Sequence, residues 1–183
     1  MKATSVNQDG SPDGFVPPIA YRVDVSPDGV TRIACSAGPK LLIALDAVLG
    51  AMEGPVGVLW MRQVDRQKGR QLPKPEHWVA IEKDKAQVSS VLARCRNLLT
   101  LDGRGQLWLR GGFKDQVVLD EVGTLYCYPD DPSFRDAIEA VGIQEKVHEN
   151  LEDRDYVRVN FSAIADAEEQ LLIHELGLAL NAG

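Results

Sequence analysis

Residues 105–142 read GQLWLRGGFKDQVVLDEVGTLYCYPDDPSFRDAIEAVG, and this stretch decides the fold class. From Gln106 to Arg110, Leu107 and Leu109 fall on one side and Gln106, Trp108 and Arg110 on the other, the period of a half-buried strand. Gly111-Gly112 ends it. Gln116–Leu119 and Gly123–Tyr128 are rich in Val, Leu and aromatic residues with Gly, Asp and Lys between them, which predicts an antiparallel meander. Pro129 stops the last strand. Asp131-Pro132 then starts a helix, since Asp accepts the orphan backbone N–H groups and Pro at the first helical position gives up no hydrogen bond. Phe134, Ala137, Ile138 and Val141 share its apolar face, and Gly142 closes it.

Toward the N-terminus, Ala20–Val25 and Val30–Cys35 flank the turn Ser26-Pro27-Asp28-Gly29 and predict a hairpin. Gly38-Pro39 opens a helix through Leu49 with little polar face, expected to be almost wholly buried. Val56–Val64 reads as a strand, Arg62 to Lys74 as an exposed basic loop, and His77–Ile81 as a short strand. Asp84 with Gln87 makes a capping box ahead of the stripe Val88, Val91, Leu92, Cys95, Leu98, Leu99, which predicts one helix. Residues 1–18 hold Asn, Asp, Ser, Gly and Pro and read as a flexible arm; their NQDG and SPDG fragments are ordinary turns, since a calcium loop would also need a closing Glu. Toward the C-terminus, Gln144–Asp155 reads as an exposed connection or frayed helix and Tyr156–Phe161 as a strand. Ser162 caps a last helix that stops at Gly177.

These elements predict an α+β protein whose mainly antiparallel sheet is covered by about four helices. Residues 19–183 form a single domain, with sub-lobes 19–102 and 103–183 suggested by a similar order of elements over about 80 residues in each half. The length of 183 residues suffices for a sizeable core, and 44% hydrophobic with 26% charged residues is ordinary for a globular chain. No apolar run approaches the roughly 20 residues of a membrane span, and Lys2 is followed by polar residues instead of a secretory core. Cys35, Cys95 and Cys127 form no Cys-x-x-Cys pair, so a reducing, cytoplasmic setting is expected.

Charge divides unevenly along the chain. Through Lys114 there are 16 Lys/Arg against 11 Asp/Glu, a net +5; from Asp115 onward there are 4 against 16, a net −12. Either the molecule is electrically two-faced or the two sets interleave in space.

The motifs of catalysis are incomplete. His174-Glu175 begins a zinc-protease pattern, but Leu178 stands where the second His is needed. No Gly-x-Ser-x-Gly elbow occurs, and Gly50, Gly54 and Gly57 follow a helix instead of joining a strand to one, as a phosphate loop requires. No motif asks for a cofactor or metal. The leading expectation is therefore a non-catalytic interaction protein of bacterial type, immunity- or inhibitor-like, that meets a basic partner protein through Glu149, Glu152, Asp153 and Asp155. An alternative is a small-molecule-binding protein or enzyme with an inter-lobe cleft holding Arg110, Asp120, Tyr126 and Cys127. A weaker one is nucleic-acid binding through Arg66, Lys68 and Arg70, which a pI near 5.0 disfavours. Hairpin edges that pair between copies are compatible with the same pattern.

Overall fold

The computed structural model describes residues 2–65, 70–158 and 163–181. The meander forms as its alternation dictates: β6 (Gly105–Gly111), β7 (Asp115–Leu119) and β8 (Thr124–Tyr128) run antiparallel, with Leu107 and Leu109 inside. At the β7–β8 turn the Asp120 carboxylate accepts the N–H groups of Val122, Gly123 and Thr124 at 3.0, 2.7 and 2.8 Å. Asp131 caps α4 (Pro132–Ala140) by accepting the N–H of Ser133, and Phe134 and Ile138 are buried.

The hairpin β2 (Ala20–Val25) and β3 (Thr31–Ser36) adds to β8, while β4 (Val56–Asp65) adds to the other side of the meander at β6. β5 (Arg70–Lys83) and a short β10 (Ala179–Asn181) complete an eight-stranded antiparallel sheet in the order β10-β5-β4-β6-β7-β8-β3-β2. Strands from residues 19–102 therefore lie at both sides of the strands from 103–128. Among the described residues there are five helices: α1 (Leu41–Ala51), α2 (Lys85–Arg94), α3 (Arg96–Leu101), α4 and α5 (Ala163–Glu175). Their apolar sides join Ile33, Val58, Trp60, Leu107, Leu109 and Val117 in one core on one face of the sheet.

Several expectations are corrected. Within the basic stretch Arg62–Lys74, the described residues 62–65 and 70–74 are strand, not loop: β4 and β5 pair antiparallel, with Arg62 opposite Glu76. Polar side chains on both faces erase the alternation there, and Pro73 and Pro75 read as breakers although an edge tolerates them. The apolar stripe of the predicted 84–99 helix is continuous, but the backbone breaks at Cys95 and restarts as α3. In α1, Ile43 is 61% exposed. Part of the stretch read as a flexible arm is a docked strand: β1 (Ala3–Ser5) pairs with β9 (Tyr156–Arg158), with Lys2, Ala3 and Ser5 buried. β1 passes so close to Gly103 that a Cβ there would sit 2.7 Å from the Lys2 carbonyl oxygen. Of the predicted strand to Phe161, only Tyr156–Arg158 lies within the described residues, and Ser162 lies outside them.

Helix α5 is fixed by its acidic residues. Glu169, fully buried, accepts from Trp60 Nε1 at 2.6 Å and from Arg62 Nη2 at 2.8 Å. Glu168 accepts from the Leu98 N–H at 2.7 Å and Asn97 Nδ2 at 2.6 Å, at the start of α3. Asp166 takes Arg104 Nη2 at 2.9 Å, and that buried guanidinium also binds Asp102. Gly105 lies beneath the Trp60 ring, where a Cβ would be 2.5 Å from Cζ2.

Two substitutions test this lock. Gly105→Ala should cost about 3 kcal/mol through overpacking against Trp60. Glu169→Ala should cost about 3 kcal/mol or more, because Trp60 Nε1 and the Arg62 guanidinium lose their buried acceptor. Urea unfolding measures both, with a lower midpoint at unchanged slope expected.

Candidate functional site

After α4 the chain returns along the outer edge of β2: the Tyr21 N–H donates to the Gln144 carbonyl and the Lys146 N–H to the Tyr21 carbonyl. It then turns at Asn150–Asp153, where the Asp153 carboxylate accepts the Asn150 N–H at 2.7 Å. Leu151 anchors the turn against Ala3, Val122 and Phe15. A segment that reads as a polar connection is thus pinned by one buried leucine and a reciprocal cap.

The turn brings Glu149, Glu152, Asp153 and Asp155 together. With Asp13, Arg154 and the Val6–Gln8 stretch they line an open depression of about 600 Å³. Arg22 donates to both Asp153 oxygens at 2.6 and 3.1 Å and to the His148 carbonyl at 2.6 Å. Glu152 lies 3.6 Å from Arg22 and 3.8 Å from Arg32, and accepts from the Tyr126 hydroxyl in a very short hydrogen bond. Arg154 reaches Asp13 at 2.9 Å and Glu149 at 2.8 Å. The Asp155 side chain has no cation or hydrogen-bond partner among the described residues, and the Glu149 side chain is 63% exposed. Five carboxylates surround a cavity into which a single guanidinium, Arg154, projects; Arg22 and Arg32 are held beneath it on the sheet.

The environment sets the protonation of these groups. Hydrogen bonds from the Ser5 hydroxyl and the Phe15 N–H, with help from Arg154, hold the Asp13 carboxyl down at about 2. The Arg22 hydrogen bond lowers Asp153, while burial outweighs Arg32 and Arg22 and raises Glu152. Nearby, burial drives Lys2 down and Asp120 up, each toward its neutral form. Lys2 Nζ donates to the Asp120 carbonyl at 2.7 Å.

Arg110, Asp120, Tyr126 and Cys127 are not brought together. Successive strand residues face opposite ways, so Tyr126 is buried in a small cluster on the sheet face away from the helices and Cys127 in the core beneath them. Arg110 is exposed and donates to Gln116 at 3.3 Å, whereas Asp120 caps a turn two strand positions past Val118. Burial pushes the Cys127 thiol well above its ordinary value, and Cys35 and Cys95 up to about 12, which leaves them un-ionised. Glu175 of the His174-Glu175 pair is engaged with Arg94. Among the described residues no three His, Cys, Asp or Glu side chains are grouped to hold a metal ion, and no helix is long and apolar enough to cross a membrane. Arg66 and Lys68 lie outside the described residues, and Arg70 is described only as the backbone start of β5.

Sequence reasoning missed Asp13, Arg22, Arg32 and Arg154 as parts of this site. The one available signal was the placement of Arg22, Asp24 and Arg32 on a single face of the first hairpin. Compared with protein-family models, with curated proteins and with solved structures, the chain finds no match in any of the three.

The Asp13 contacts predict a local acid response. Its carboxyl titrates at about 2 in the fold against an ordinary 3.8, so the stability it contributes is complete above about pH 4 and lost as pH falls toward 2. Amide NMR should show Ala3–Ser5 losing exchange protection over that window. Asp13→Asn should weaken this protection at neutral pH already and flatten the acid response.

Proposed function

We propose that this protein is a non-catalytic interaction module that receives the cationic surface of a partner protein in the depression lined by Asp13, Glu149, Glu152, Asp153 and Asp155. The observation that carries this reading is a surplus of carboxylates around one concavity, with Asp155 uncompensated and Glu149 turned to solvent. The site is also stiff. Arg22, Arg32 and Arg154 hold their acids in place, and the Asn150–Asp153 turn is capped, so binding a cation costs little ordering entropy. Exposed rim charges of this kind steer an oppositely charged partner and set its salt dependence. An immunity- or inhibitor-like role, in which the depression masks a basic surface of another protein in the cytoplasm, fits this chemistry.

The test is native mass spectrometry of the protein isolated gently from its source, followed by affinity measurements on the retained partner. Glu149→Gln with Asp155→Asn, which removes the two rim charges and spares the Arg22 and Asn150 contacts, should weaken binding about tenfold and flatten its dependence on salt. Affinity unchanged by this pair, or a retained small molecule in place of a protein, would overturn the proposal.

A further inference from the structure

Helix α1 is apolar on more than the side it turns to the core. Of its 11 residues only Asp46 is charged, and Leu41, Ala44, Leu45, Val48 and Leu49 are buried. Ile43 is left 61% exposed. One exposed isoleucine is ordinary on a protein surface, but this one borders a cavity of about 300 Å³ between α1 and α2.

The cavity follows from how the two helices meet. They run antiparallel, with Lys85 Nζ donating to the Gly50 and Met52 carbonyls at 3.0 and 2.6 Å and, one turn on, the Ser89 hydroxyl donating to Asp46 at 2.5 Å. A further turn along, the α2 residue that shares the cavity with Leu42 and Ile43 is Ala93, and its methyl group leaves the gap unfilled. Leu45, Leu49 and Leu92 close the floor, while Leu42, Ile43 and Ala93 form walls open to solvent. Polar clasps thus fix one end of the helix pair, and one small residue keeps the space beyond them.

Arg96 marks the other end of the cavity, just past the break between α2 and α3. Its guanidinium is exposed and has no ion pair or hydrogen-bond partner among the described residues. By contrast, Arg94 is engaged with Glu175, Arg104 with Asp102 and Asp166, and Arg135 with Asp130. Asp46, at the clasped end, is occupied by Ser89. The cavity is therefore directional: an anion belongs beside Arg96 and apolar atoms between the helices. Ser89 and Arg96 stand about two helical turns apart, roughly 10 Å at about 1.5 Å per residue, which suits a ligand of about ten non-hydrogen atoms. The volume lies at the small end of ligand sites and does not admit a partner helix about 10 Å across. A phosphate dianion is a poorer occupant than a carboxylate, since it would meet a single cation and lie in the field of Asp46.

We propose that this cavity is a binding site for a small monocarboxylate with a branched aliphatic or aromatic body. The Arg96 guanidinium takes the carboxylate in paired N–H···O bonds, and Leu42, Ile43, Leu92 and Ala93 cover the body. The site shares no residue with the acidic depression and does not depend on the role assigned to it.

Phenylpropionate provides the probe, and phenylpropanol, the same body without the charge, its control. In NMR titrations to about 10 mM the acid should shift the methyl signals of Leu42, Ile43, Leu92 and Ala93 and bind about tenfold tighter than the alcohol. Arg96→Gln should bring the acid down to the affinity of the alcohol and leave the alcohol unaffected. Ala93→Leu keeps a strong helix former and fills the gap, so it should abolish binding of both. Glu149→Gln with Asp155→Asn should change neither. Equal affinity for acid and alcohol, or an acid that binds Ala93→Leu as tightly as the unaltered protein, would overturn the proposal, as would the absence of shifts at these methyl groups. Sedimentation as a dimer that Ala93→Leu dissociates would assign the cavity to a second copy and overturn it as well.

Discussion

A carboxylate with no access to water must be given partners, and Glu169 shows how much follows from that requirement. Its oxygens take the Trp60 indole N–H and the Arg62 guanidinium, both from β4, a central strand of the sheet. Unpaired, the charge would cost several kcal/mol, so α5 has one seating on the sheet in which the core closes. Trp60 is held from below by the absence of a side chain at Gly105, which lets the β4–β6 pair approach under the indole ring. Arg62 extends the lock to Glu76 on β5.

The same logic disposes of the uneven charge along the chain. Cations of the first half meet carboxylates of the second: Arg22 with Asp153, Arg62 with Glu169, Arg94 with Glu175, Arg104 with Asp166, and Lys114 with Asp131. The linear asymmetry is therefore partly neutralised as the halves come together. A local surplus remains at the turn after Asn150, where five carboxylates line a depression into which Arg154 projects. A net charge summed over a segment says little about a surface, because the fold decides which charges face one another.

The site also depends on the N-terminal strand. β1 supplies the partner of β9, Ser5 and Asp13 complete the surroundings of Arg154, and Lys2 buries its ammonium against the Asp120 carbonyl. The depression is built from three distant parts of the chain, residues 5–13, the hairpin at Arg22 and Arg32, and the 149–155 turn. Each contributes a group that holds another in place, so the rim acids project from a rigid base.

Some of this was written locally. The alternation of Leu107 and Leu109 with Gln106, Trp108 and Arg110 fixed a strand with one buried side, because the strand period and the side-chain polarity agree within five residues. Asp84 and Asp131 marked their helix starts, because a cap acts on backbone N–H groups two or three residues away. The prominence of Glu149, Glu152, Asp153 and Asp155 was legible as composition. Their convergence was not, since Arg22 reaches Asp153 across 131 residues and Arg154 reaches Asp13 across 141. Nor could β1 be read from three residues whose partner strand lies at the far end of the chain, or β5 from a polar stretch interrupted by Pro73 and Pro75. Sequence by itself determined the elements whose periodicity and caps act over a few residues. Tertiary structure alone decided the β1–β9 pair and the acidic depression, because each depends on ion pairs and strand register between segments that only the folded core brings into contact.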